Sequence, residues 1–446
     1  MAVWLLVDPR TPDLAAQVYR VGLFHHLSFA VWDEHWYAGH ALPGYSLLFA
    51  PLASLLGLRL LAASSVLASA TLFERLALAV YGRSARWGAV WFAVAAVGDV
   101  WIGRLTFALG VTFALAAALA LVYGRPRSAG LLAALCAAAS PVAGVLLALA
   151  GLTGALARRS GRALVVLGVP AAMVVVPLAL VFGEGGFEPF PATSFAATVL
   201  VTLLFLWALP SEQRQLRIGG LVYLVVCFAL LMAHTPMGSN IERYGVLLAG
   251  PLLICSLGRE VWGPRVILAL CAIAVWTVWG PVRETVAVAG NASTNPSYYT
   301  PVRRFLEGHG GGLVRLEVPL TRGHWEAALL APFLSLARGW EKQLDERYDG
   351  VLLEPGLTAA GYSRWLHEEA VSYVALPDTP LDPSSAQEGR LIRRGLSYLQ
   401  EVFKSRHWTV YAVRNPTPLL EGPGRLTSLG HDSFALRAAA SGNFLV

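Results

Sequence analysis

Asp13 lies in the run Thr11-Pro-Asp-Leu-Ala-Ala-Gln-Val-Tyr-Arg20, which reads as the opening of an amphipathic helix. Thr11 is placed to cap that helix and Pro12 suits its first turn. Two readings of the acid stand side by side. It is a first-turn carboxylate favoured by the helix dipole, or it is a catalytic carboxylate held at a membrane surface. Leu14, Val18 and Val21 follow at helical spacing and predict a membrane-facing stripe. Next comes Trp32-Asp-Glu-His-Trp-Tyr-Ala-Gly-His40, then Leu42-Pro-Gly-Tyr-Ser-Leu-Leu-Phe, which dips back toward apolar surroundings. Asp33 and Glu34 are adjacent there, and such a pair is either a metal-ligand set or two solvated acids. His25, His26, His35, His40 and His234 add imidazoles, none of them a pair at secure ligand spacing on an established helix.

Fixed cations are the second ingredient. Arg104, in Asp99-Val-Trp-Ile-Gly-Arg-Leu-Thr-Phe, sits near a helix end, where it either pairs with Asp99 or reaches the interface. Arg243 lies in His234-Thr-Pro-Met-Gly-Ser-Asn-Ile-Glu-Arg-Tyr beside Asn240. Its planar fork suits a phosphate, and the alternative is a salt bridge with Glu242 or an Asp. Glu188, in Gly185-Gly-Phe-Glu-Pro-Phe-Pro, belongs to an aromatic loop that lines a polar pocket or forms an interfacial belt. Thr321-Arg-Gly-His-Trp-Glu326 and Arg338-Gly-Trp-Glu341 pair tryptophan with charge, for ligand stacking or for packing.

The elements that must position these groups are mostly membrane helices. The 446-residue chain is 56% apolar and 14% charged, with a mean hydropathy of +0.57, which excludes an ordinary soluble globule. Apolar runs at 59–81, 87–102, 105–123, 163–182, 195–210, 218–234, 246–258 and 266–280 read as spans. The run 131–157 begins and ends at basic loops, and its about 27 residues are too few for two full crossings. A re-entrant or short hairpin folding at Ser140-Pro-Val-Ala-Gly144 resolves this, because Pro and Gly break the helix there. Twelve arginines, from Arg75 to Arg265, then fall on one side. Eight of the eleven carboxylates before residue 281 (Asp8, Asp13, Asp33, Glu34, Asp99, Glu184, Glu188 and Glu242) fall on the other. By the positive-inside rule the arginine side is cytoplasmic. Loops 8–57, 183–194 and 235–245, and everything after 280, are then outside.

The net charge of +6 sits wholly in residues 1–280, since 281–446 carry 17 basic and 17 acidic side chains. With two lysines against 32 arginines, the excess reads as GC-rich coding and short cytoplasmic loops, and no nucleic-acid partner is expected. The four cysteines lie in apolar runs and read as core residues. The stub at 2–7 is too short to cross a bilayer, so the chain is expected to begin within a first helix. After Asn291-Ala-Ser-Thr-Asn-Pro the pattern becomes that of an extracytoplasmic α/β domain, 281–446. Strands are expected at 313–319, 371–377 and 408–413 and helices at 327–337, 362–369 and 388–402. The end is expected to be the start of a β-sandwich, broken off within a sheet.

An Asp at the start of a juxtamembrane helix, an Arg seven residues on, a Trp/Tyr/Gly/His stretch, and Pro-Gly-Tyr before the next span resemble the first periplasmic loop of GT-C superfamily glycosyltransferases. The chain is also similar to a set of actinobacterial membrane proteins carrying TPDLAAQVYR, WYxGHxLPGYS, SPVAG, NIxRYG and HWEA-type strings. The resemblance spans the whole architecture, a mainly α GT-C-like helical bundle (1–280) followed by an outer domain. It implies a cell-membrane, multi-pass enzyme that moves sugar from a polyprenyl-phosphate donor to a glycan, lipid or protein acceptor. Asp13 then matches the carboxylate that acts as base or helps hold a divalent cation, Mg²⁺ or Mn²⁺, with Asp8, Asp33 and Glu34 as alternatives and Asp33 as a second metal candidate. Arg243, Arg104 and Asn240 are the implied donor-phosphate set. Arg20, Trp36, Tyr37, His40, Glu188 and His234 are the implied substrate contacts. A transporter or flippase and a non-catalytic scaffold of envelope biogenesis are the rival readings. A transporter should show internal repeats and charges at mid-membrane, and the sequence has neither.

Overall fold

A computed structural model describes residues 1–184, 186–257 and 263–446. Arg259, one of the arginines counted above, lies outside the described residues. The chain is mainly helical and groups into two compact units, Met1–Pro9 with Pro43–Thr285, and Arg10–Leu42 with Val286–Val446. The division expected at 280/281 thus places residues 10–42 differently from the observed grouping.

In the first unit, six described helices are long and apolar enough to cross a membrane: Leu58–Tyr81, Leu105–Val122, Pro141–Arg158, Leu164–Val181, Arg214–Met232 and Pro264–Val288. Their outward faces are greasy. On Arg214–Met232, Leu221, Val225, Phe228 and Met232 are exposed at helical spacing, while Gly220, Tyr223 and Cys227 are buried. A polar face inside out in this way is unfavourable in water and natural in lipid. Arg86–Ile102, Pro126–Ala139, Ala192–Ala208 and Glu242–Leu257 complete the long helices.

The helix breaks at Ser140, between Pro126–Ala139 and Pro141–Arg158. Ser140 is extended (φ −155°, ψ 110°), its hydroxyl accepts from the Ala143 amide at 3.3 Å, and Pro141 occupies the first helical position. A straight helix would hold residues 137 and 144 about 10 Å apart. Instead a Cβ on Gly144 would lie 2.7 Å from that of Ala137, so the chain folds back on itself. The last helix runs past the expected end at Gly280 to Val288, through Pro281. Trp101 Nε1 donates to Thr285 Oγ1 at 2.7 Å, and the Thr285 hydroxyl returns to the Pro281 carbonyl, so the extra turns have partners. Cys136, Cys227 and Cys255 are buried thiols, and Cys271 is exposed on the apolar helix.

Element ends sort into two sets. Gly44 approaches the Phe182 carbonyl, Leu47 donates to the Ala138 carbonyl at 2.9 Å, and Glu188 N donates to the Thr235 carbonyl at 3.0 Å. At the other set Cys255 Sγ lies 3.7 Å from the Ala85 carbonyl, and Arg217 donates to the Leu209 carbonyl at 2.9 Å.

The second unit begins with the helix Pro12–Leu27. Thr11 supplies the extended cap backbone without the expected hydroxyl-to-amide bond. The predicted lipid-facing stripe is corrected: Leu14 and Val21 are buried, and of the three only Val18 is exposed, at 36%. This helix packs its face within a polar domain, as the stacking of Tyr19 on Trp36 shows. Strands β1 (Trp32–Asp33) and β2 (His40–Ala41) pair antiparallel. Strands β3 (Arg315–Glu317), β4 (Ser335–Leu336), β5 (Val371–Pro377), β6 (Leu399–Lys404) and β7 (Trp408–Val413) form a mixed sheet in the order β4-β3-β5-β7-β6. Here β4 and β5 flank β3 in parallel, and β7 runs antiparallel to both β5 and β6.

Tyr362, Trp365, Leu366, Val371, Val374 and Ile392 pack the core beneath this sheet. The helix expected at 327–337 is only Glu326–Leu329. Pro332 interrupts it, and 335–336 instead pair with β3, where Ala337 donates to the Leu316 carbonyl. Likewise 388–402 splits into the helix Ala386–Arg393 and β6, because Gly395 takes a left-handed φ of 83°. At the end, β8 (Gly424–Leu429) and β9 (Phe434–Ala438) make an antiparallel hairpin.

Candidate functional site

In the first unit the structure brings Asp99, Arg104 and Arg243 together. Arg104 caps its helix with non-helical backbone and reaches the buried Asp99 at 3.6 Å. Arg243 is the second cation in the field of Asp99, and its guanidinium lies over the Phe107 ring at 5.4 Å. Two guanidinium groups thus lie in the field of Asp99, and Arg104 is also in the field of Glu242. Glu242 accepts from Thr198 Oγ1 at 3.2 Å. Phe107 also lines an apolar cavity of about 410 Å³ between the helices, with Phe73, Phe92, Tyr244 and Trp276. Loops 186–190 and 235–240 interlock next to it in sequence. Ser239 Oγ donates to Glu188 Oε1 at 2.8 Å, Asn240 Nδ2 to the Pro236 carbonyl at 3.4 Å, and His234 packs on Phe187. Glu188 is therefore buried in a loop-to-loop contact. Asp8 closes the short helix Ala2–Val7 and forms an ion pair with Arg59.

In the second unit Asp33, expected at the surface, is fully buried. Tyr19 Oη donates to Oδ2 at 2.7 Å, while the His35 amide (3.1 Å) and His431 Nδ1 (2.9 Å) reach Oδ1. Burial alone would raise its pKa, but the His431 bond, the neighbouring His40 and the Tyr19 bond together hold it below the ordinary carboxylate value. Both oxygens thus accept from protein donors. Among the described residues no group of three or more His, Cys, Asp or Glu is arranged to hold a metal. Glu34 accepts from Trp32 Nε1 at 2.7 Å. Burial pushes His40 down to about 4 and lowers His35 as well, so both imidazoles are neutral near pH 7.

Trp36 is the centre of this assembly. It stacks between Tyr19 (4.5 Å) and His40 (5.6 Å), Arg20 lies over its ring, and its Nε1 donates to the Ala327 carbonyl at 3.0 Å. Arg20 also forms an ion pair with Glu341, and the Glu341 amide donates to Tyr37 Oη at 2.7 Å. Arg20, Trp36, Tyr37 and His40 are accordingly gathered. Asp13 is half-buried in the first turn of its helix, and His25 and His26 close the last turn. Gly339 fits only because it lacks a side chain, since a Cβ there would lie 2.6 Å from Trp36 Cγ. Gly339→Ala should destabilise this unit by about 1–3 kcal/mol through overpacking. A melting curve followed by tryptophan fluorescence measures it, and an unchanged midpoint would mean that Trp36 is free to shift.

The sequence reading missed two features. One is a buried cluster in which Arg338 meets Glu317 (3.1 Å) and Glu388 (3.3 Å), with Asp345 and Asp349 nearby. The other is the clasp of His431, from the β8–β9 turn, on Asp33. Neither set is contiguous in sequence, and the local signals were Glu317 within a predicted strand and the Arg338-Gly-Trp-Glu string. No protein-family model matches the chain, and no curated protein sequence matches it.

Proposed function

We propose that this chain is a multi-pass membrane glycosyltransferase of the GT-C kind, which moves a sugar from a polyprenyl-phosphate donor to a cell-envelope glycan, lipid or protein acceptor at the outer face. The observation that carries the proposal is the position of Arg243 over Phe107, a ring that also lines the apolar cavity. An anionic head on a long hydrocarbon chain matches both parts, because guanidinium forks suit phosphate and the apolar walls accept isoprenoid. Asp13 is assigned the base role. The acceptor hydroxyl gives its proton to the Asp13 carboxylate as its oxygen bonds to the sugar C1. The C1–O bond to phosphate breaks, and the electron pair leaves on phosphate. No metal step is needed in this scheme.

Arg243→Ala should weaken donor binding as well as turnover, since phosphate is present in both ground and transition states. The assay is sugar transfer from polyprenyl-phosphate sugar in nanodiscs, and a variant with wild-type KM for donor would remove Arg243 from the site. Sidedness has its own test. In a chain whose cysteines are replaced, Glu307→Cys should react with an impermeant maleimide added outside intact cells, and Arg127→Cys should be spared. Both positions are exposed to solvent, so the reverse pattern would overturn the orientation.

A further inference from the structure

We propose that the carboxyl-terminal crest of the parallel strands β3, β4 and β5 is a carbohydrate subsite with Trp340 as its stacking platform. The choice of sugar as the ligand class rests on the glycosyltransferase reading, while the location rests on geometry. In chain order β3 comes first, β4 adds on one flank and β5 on the other, so the strand order reverses at β3. In sheets with parallel strands, ligands bind outside the carboxyl ends at such a reversal. The two strings that pair tryptophan with charge both follow these ends, 321–326 after β3 and 338–341 after β4, and they meet. The Trp340 ring lies flat on His324, with centroids 3.4 Å apart and planes 9° from parallel.

His324 is itself locked in place. Its backbone is left-handed (φ 55°), its amide donates to Thr321 Oγ1 at 3.1 Å, and its Nε2 is 3.4 Å from Asp382. A non-glycine residue held in that region is strained, and such strain persists where the surroundings over-determine it. His324 and Thr321 are buried, whereas Trp340 is partly exposed. The indole is thus backed on one face by a fixed imidazole and remains open to solvent in part. Beside this stack lies Asp382, its side chain 28% exposed and 3.4 Å from His324 Nε2. A rigid aromatic plate with a carboxylate near its edge fits a neutral sugar ring, whose C–H face stacks while a hydroxyl donates to the acid.

The test is binding by the full chain in nanodiscs, free of sugar-headed detergent, to mannan, arabinan and galactan oligosaccharides, read by tryptophan fluorescence and saturation-transfer NMR. At least one of the three should bind. Trp340→Ala should weaken it by tenfold or more, and Trp340→Phe, which keeps an aromatic face, should lose less. An unchanged near-UV circular dichroism spectrum away from the indole bands, with an unchanged melting midpoint, separates lost binding from lost fold. If Trp340→Ala unfolds, the comparison of Trp340→Phe with Trp340→Leu decides in its place, with Leu expected to be the weaker binder. Binding by none of the three, or equal binding by the variants, would overturn the subsite. Binding also persists in Asp13→Asn if the subsite is correct, so sugar binding without transfer would sink the enzyme reading and leave the subsite standing. Transfer with an unaltered acceptor KM in Trp340→Ala would do the opposite.

Discussion

Asp13→Asn is expected to lower sugar transfer by roughly 10²-fold or more while leaving the fold almost untouched, the usual scale for a lost general base. The side chain keeps its shape and loses only the ability to take a proton. Asp13 is half-buried in the first turn of Pro12–Leu27, where an acid interacts favourably with the helix dipole. Loss of that charge costs about 0.3–1 kcal/mol, too little to unfold the unit. The two effects therefore separate: kcat should fall far more than the melting midpoint. Donor KM should stay close to wild type, because the base acts on the acceptor hydroxyl in the transition state and not on the bound phosphate. Full activity in Asp13→Asn would remove the residue from the mechanism. Of the alternatives, Asp33 is then the weaker, since Tyr19, His35 and His431 occupy its carboxylate. Asp8 is engaged by Arg59 and Glu34 by Trp32, so each would have to release a partner to act.

The membrane helices were legible because their signal is local. Each is a run of apolar residues long enough to cross, and the break at Ser140 is written in the Ser-Pro dipeptide and the folded-back Gly144. Strands β5 and β7 were legible for the same reason, as short β-branched and aromatic runs bounded by turn residues. The reading failed where a distant partner decides. Residues 327–337 are apolar enough for a helix, yet pairing with β3 takes Ser335–Leu336 into the sheet. The amphipathic helix at Pro12–Leu27 has a sequence stripe that lipid or protein would cover equally well, and only Trp36 and residues beyond 300 make the choice. Asp33 looks like a solvated surface acid until His431, almost 400 residues later, closes over it. The arginine pair on Asp99 was half legible: the Arg104 contact follows from a five-residue spacing, whereas Arg243 arrives from another helix.

The largest stability effect is expected from Arg338→Met, in the part of the molecule that sequence could not reveal. Arg338 is 3% exposed, and its Nη2 donates to Ser385 Oγ at 2.7 Å besides facing Glu317 and Glu388. Tyr362 Oη donates to Glu388 Oε1 at 2.9 Å, and Trp365 Nε1 to Asp349 Oδ1 at 3.2 Å. One guanidinium therefore serves four buried acids, Glu317, Asp345, Asp349 and Glu388. Burial pushes Glu317 and Asp349 well above the ordinary carboxylate range and Asp345 up to about 6, in each case against the pull of Arg338. Removing one partner of a buried ionic group strands the others, at about 3–5 kcal/mol. For a unit of this size that corresponds to a fall in melting midpoint of roughly 6–20 °C. The sign with pH follows from linkage. An acid whose folded pKa is raised holds its proton more tightly when folded, so stability falls as pH rises from its unfolded value toward the folded one. Without Arg338 those folded values rise further, so the deficit of the variant should grow as pH rises above about 6, the folded value of Asp345. Arg338→Met/Glu317→Gln should recover part of the loss, since it removes a stranded charge. Thermal unfolding of the full chain at several pH values measures all three expectations. A variant that melts with the wild type at pH 7 would mean that the four acids are already neutral or solvated, and that Arg338 does not hold the crest of the sheet together.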